Sequence, residues 1–257
     1  MLVMIALVLF LMLAIELIYI ERTLALLGMP LSKRCNIICG NEGKRGYVSE
    51  GVCYCKRPVK LFPEIYCVTN LTFIENNRYR DYVDRKSVRS VSLDILSSYS
   101  NANVAATKVF AIYDYVSSHM NYISDPRLDD YIAPPNETIS ARGGDCDDAS
   151  VLLASMYESV GMDAKIAEVY NGVKGHVFNL VLVEDDLERF LDGLAILIET
   201  KTAYSGNITV HILVEGRSEK GCNVIRDAIK RGNSYSNFYI VIDGTAKNYP
   251  GSINPIL

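Results

Sequence analysis

Three histidines, no tryptophan and no marked surplus of either charge sign are the first features of this 257-residue chain. The balance of 26 Lys+Arg against 30 Asp+Glu excludes a surface built to hold nucleic acid or another polyanion. The missing tryptophan, beside 17 tyrosines, excludes little. The shortage of histidine decides more, because any imidazole chemistry must draw on His119, His176 or His211. No internal repeat and no calcium-loop pattern stands out. The length suffices for one sizeable domain with an appendage and a full core.

One long apolar run is present. "LVMIALVLFLMLAIELIYI", Leu2 to Ile20, is interrupted only by Glu16 and comes close to the ~30 Å thickness of a bilayer core. It lacks the basic leader, short apolar core and small-residue cleavage site of a signal peptide, so residues 1–22 are read as an uncleaved transmembrane anchor. Orientation signals conflict. Arg22, Lys33 and Arg34 follow the run and would keep the body in the cytoplasm. Sequons at Asn70, Asn136 and Asn207 point outward, as do Cys35, Cys39, Cys53 and Cys55, packed into a turn-rich segment at 33–58. Such segments cannot build a core and are usually stapled by disulfides in an oxidising compartment. Zinc is the alternative, but C-x3-C and C-x-C depart from the common C-x2-C knuckles. Two disulfides are therefore expected, in a single-pass, membrane-anchored protein whose body is extracellular.

Residues 59–90 show no clean period and read as a linker; Cys67 within it pairs with Cys222 or stays free. From 91 to 257 the pattern is that of one α+β domain. Helical spacing marks "NANVAATKVFAIYDYVSSHM", and a second helix follows Cys146 and stops at Gly161. "DAKIAEVY", "HVFNLVLVE", "LAILIETKT" and "FYIVIDGT" read as strands, with "EKGCNVIRDAIKRG" as a short helix closed by Gly232. The expected architecture is a cysteine-bearing helix packed on an antiparallel sheet.

The chemistry gathers at "GGDCDDASVLLASMYESVGM". A cysteine at a helix N-terminus meets unpaired N–H groups and the positive end of the dipole, and both favour thiolate. Gly143 and Gly144 are read as clearing an approach for a substrate carbonyl. Asp145, Asp147 and Asp148 complicate matters, since carboxylates disfavour a neighbouring anion, and Cys146 then needs a cationic partner. Consecutive acids point to different helix faces, so a divalent-cation site there is disfavoured and no metal or cofactor is expected. His119 and His211 sit in structural contexts, whereas His176 opens a strand after a turn. A third group must orient the imidazole, and both Glu199 and Asp243 are available.

With "YDYVSSHMNYI" before it, then "HVFNLVLV" and "YIVIDGTA" after it, this stretch resembles the transglutaminase-like superfamily of papain-fold cysteine enzymes. The resemblance spans roughly residues 106–251 and leaves the anchor and the cysteine-rich segment unexplained. It implies Cys146 as nucleophile, His176 as general base and Asp243 as the orienting acid. Phe178 stands where many members have tryptophan. Glu199 lies at the family's usual interval from the histidine, while Asp243 has the local motif. No oxyanion donor is evident beyond the Cys146 backbone N–H. The activity so implied is thiol-dependent acyl transfer on peptide or glutamine amides, as a cysteine protease or amidase acting on a protein or peptide substrate. An inactive binding module on the cell surface and a protein-crosslinking transglutaminase are the alternatives.

Overall fold

The computed structural model describes residues 29–41, 44–49, 52–70, 77–126, 131–170, 175–202, 204–246 and 249–252. The anchor expected over 1–22 lies outside them. Among the described residues no helix is long and apolar enough to cross a membrane. The chain divides into two units, Met1–Pro58 and Val59–Leu257.

In the first unit, helix α1 (Leu31–Gly40) accompanies an antiparallel hairpin of β1 (Arg45–Ser49) and β2 (Val52–Lys56). Disulfides join Cys35 to Cys53 and Cys39 to Cys55. The spacings explain the pairing. Residues i and i+4 share a helix face, residues i and i+2 share a strand face, so C-x3-C on α1 meets C-x-C on β2.

The second unit begins with β3 (Val59–Val68), a 3-10 turn at Asn77–Tyr82, α2 (Arg85–Ser97), α3 (Ala105–His119), β4 (Asn121–Tyr122), α4 (Pro135–Ala141) and β5 (Gly143–Gly144). It continues with α5 (Cys146–Ser159), β6 (Ala164–Tyr170), β7 (Gly175–Asp186), α6 (Leu187–Lys201), β8 (Gly206–Glu215), α7 (Glu219–Lys230) and β9 (Ser236–Ile242). Five strands form one sheet in the order β3-β8-β9-β7-β6. Helix α5 is its centrepiece. Val151, Leu152, Leu153, Ala154, Met156 and Tyr157 are all fully buried, so the helix is apolar on nearly every side and lies inside the core.

The structure corrects three expectations. Residues 59–90 are no linker: they hold β3 and the start of α2, and Cys67 on β3 is bonded to Cys222 on α7. The sheet is antiparallel except at β3, which pairs with β8 in parallel, Val59 opposite Gly206. "LAILIETKT" is the second half of α6, not a strand. Leu187, Phe190, Leu194 and Ile198 form its buried stripe at helical spacing, and the Asp186 side chain caps it by accepting the Arg189 N–H.

Candidate active site

Strand β5 runs parallel to β4, with Tyr122 opposite Gly144 and the Ile123 N–H donating to the Gly144 carbonyl at 2.9 Å. Both glycines are buried. A Cβ on Gly143 would strike the Ile123 side chain, and one on Gly144 would strike Asp148. The glycines therefore admit neighbouring protein groups, which corrects their reading as a cleared approach for substrate.

The acids that follow cap α5. Asp145 is the N-cap and accepts the Asp147 N–H at 3.3 Å, while Asp148 reaches back to the Asp145 N–H at 3.3 Å, a reciprocal capping box. The other Asp148 oxygen accepts the Ala133 N–H at 2.7 Å, tying that loop to the helix mouth. Burial, then the hydrogen bond and charge of Asp145, push the Asp147 carboxyl up to about 8. At neutral pH this group holds a proton, so the helix mouth carries less negative charge than three aspartates suggest.

Cys146 opens the helix and is the one cysteine of seven outside a disulfide. Among the described residues its backbone N–H has no hydrogen-bond partner. His176, at the start of β7, is 3% exposed, and its Nε2 lies 2.8 Å from Oδ2 of fully buried Asp243. A carboxylate can only accept, so Nε2 carries the proton. The other Asp243 oxygen accepts from the Thr245 N–H at 2.9 Å and the Thr245 hydroxyl at 2.7 Å, which fixes the carboxylate plane. Burial lowers the His176 pKa, but the bond to Asp243, the neighbouring Cys146 sulfur and the charge of both outweigh it and raise the pKa to about 9. Nδ1 is buried and makes no hydrogen bond of ordinary geometry with any described group, Cys146 included.

The structure thus brings Cys146 within electrostatic reach of His176, and His176 onto Asp243. Glu199 has other work: on α6, its carboxylate accepts the Val59 N–H at 3.1 Å. His119 stacks on Tyr115 and bonds its carbonyl, and His211 lies 3.5 Å from Glu64 on the neighbouring strand. Thr245 was missed by sequence reasoning, although the threonine two places after the acid in "IDGT" was the available signal.

A crystal structure of a candidate cysteine protease from Cytophaga hutchinsonii is similar at 17% identity with a TM-score of 0.32. The likeness covers 44% of this chain and 41% of that one, less than half of either. No curated protein shows a significant match. Residues 94–192, which include Cys146 and His176, match the model of the transglutaminase-like superfamily.

Proposed function

We propose that this protein is a thiol-dependent acyl-transfer enzyme, a cysteine protease or amidase, with Cys146 as nucleophile, His176 as general base and acid, and Asp243 as the orienting carboxylate. The observation that carries the reading is the division of labour on the His176 ring. Nε2 is committed to Asp243, which leaves Nδ1 as the nitrogen open to the thiol of Cys146. A histidine with a pKa near 9 is cationic at neutral pH and suits a thiolate partner.

In this mechanism Nδ1 already holds the Cys146 proton in a resting thiolate–imidazolium pair, and the sulfur attacks an amide carbonyl. The C–S bond forms as the carbonyl π electrons move onto oxygen. The Cys146 N–H, at the positive end of α5 and without a hydrogen-bond partner among the described residues, would receive that oxyanion. Collapse breaks the C–N bond, His176 returns its proton to the departing amine, and a thioester remains. Water, deprotonated by His176, then attacks the thioester and releases a carboxylic acid and the Cys146 thiol. An amine in place of water would give transamidation by the same steps. Asp243 stabilises the imidazolium, and Thr245 holds Asp243 in line.

The test is the rate of iodoacetamide labelling at Cys146 against pH, with and without His176→Ala. Fast labelling well below the ~8.5 pKa of a free thiol, lost in the variant, is expected. Slow labelling that ignores His176 would replace this reading with a catalytically inactive binding module.

A further inference from the structure

Strand β7 carries a second buried polar side chain three residues beyond His176. Asn179 is fully buried, and its cross-strand neighbours are Ile166 on β6 and Ile242 on β9, the latter immediately before Asp243. Both isoleucines are buried, so the row is one that packing alone would fill with an aliphatic residue. The amide spans to the nucleophile's helix instead. Its Nδ2 donates to the Ser150 carbonyl at 3.0 Å, and the Ser150 hydroxyl donates to the Cys146 carbonyl at 2.7 Å. Only the NH2 end of an amide can donate to a carbonyl, which fixes its orientation. Oδ1 is left buried with no partner among the described residues.

We infer that Asn179 is a positioning residue: two hydrogen bonds, Asn179 to Ser150 and Ser150 to Cys146, set the separation of the thiol from the His176 ring. The inference rests on the reading of Cys146 and His176 as a reactive pair. The apolar contacts between α5 and the sheet are non-directional and tolerate small slides, whereas a hydrogen bond has a preferred length and angle. The dry Oδ1 sharpens the point. A side chain that makes one bond and strands one acceptor adds little net stability, so its effect is expected in geometry rather than in the melting temperature.

The experiment compares iodoacetamide labelling of Cys146 against pH, together with Tm, in the full chain, His176→Ala, Asn179→Leu and Asn179→Asp. Leucine removes both the bond and the stranded acceptor at similar volume. Aspartate keeps the shape and turns the donor into an acceptor, and it carries the test if the leucine variant does not fold. The expected result is a Tm near native for Asn179→Leu with labelling at pH 6 reduced about tenfold or more. The half-rise of the rate should also move up toward the ~8.5 of an unassisted thiol. Labelling curves for both Asn179 variants that superimpose on the native one would overturn the inference alone, whatever happens to Tm. A native curve that His176→Ala leaves unchanged would overturn the reactive pair, and this inference with it.

Discussion

The two ends of α5 share one backbone dipole and use it in opposite ways. At the C-terminal end every group is answered. Gly161 adopts φ +81°, its N–H returns to the Glu158 carbonyl at 3.1 Å, and the Met162 N–H reaches the Tyr157 carbonyl at 3.0 Å, a Schellman stop. Three cations from other elements converge there. Arg80 pairs with Glu158 and donates to the Ala164 carbonyl, Arg89 donates to the Ser159 carbonyl, and Lys108 donates to the Val160 carbonyl at 3.0 Å. The N-terminal end also carries complementary charge, but it keeps capacity unused. Among the described residues the Cys146 N–H has no hydrogen-bond partner and the Nδ1 of His176 makes no bond of ordinary geometry, and Asp147 retains a proton near neutrality. A saturated end anchors the helix, and an incompletely satisfied end is where a reacting group has something to gain by arriving.

The largest test of this contrast is Asp243→Ala. It leaves His176 and both Thr245 donors without their acceptor in a buried site, so a loss of about 3 kcal/mol in urea unfolding is expected. Labelling of Cys146 at pH 6 should fall to the level of His176→Ala; native labelling in the variant would remove Asp243 from the site.

Next comes the pH dependence of stability. Asp147 has its pKa raised from 3.8 to about 8, so the folded state holds a proton that the unfolded chain releases. Its contribution is fully present below pH 3.8 and is lost as pH climbs toward 8. His176, raised from 6.5 to about 9, contributes fully below 6.5 and loses that contribution as pH rises through 9. Stability should therefore fall from pH 4 to pH 9, and Asp147→Asn should flatten the part below 8. A profile that rises over that range, or one that Asp147→Asn leaves unchanged, contradicts the assignment.

The smallest effect belongs to the saturated end. Gly161→Ala forces a Cβ into a left-handed residue and should cost about 1 kcal/mol. The labelling curve of Cys146 should not move. A shifted curve would mean that the two ends are coupled, and the comparison would fail.

The site was legible because its chemistry is written locally. Cysteine at a helix mouth, histidine at a strand start and aspartate at a strand end each sit at a boundary that turn residues and periodicity mark. What escaped depends on partners far along the chain. Strand β3 exposes Phe62 and Tyr66 and contains Pro63, so its alternation of polar and apolar residues is blurred, and its parallel partner begins at Gly206. The first half of α6, "LERFLDG", reads as polar, so only the apolar second half of its stripe stands out in the sequence. Glu199 had the right interval to be the acid but lies on that helix. The glycines before Cys146 gave no local sign that Ile123 and Asp148 fill the space in front of them.

The bond between Cys67 and Cys222 spans 155 residues and encloses both Cys146 and His176 in one covalent ring. A single cut of the backbone anywhere inside that ring opens it without releasing a fragment. Cys146 and His176 then remain parts of one molecule, held through sulfur. The unit around the site thus carries a tolerance to nicking that comes from its covalent connectivity, separate from how stably it folds.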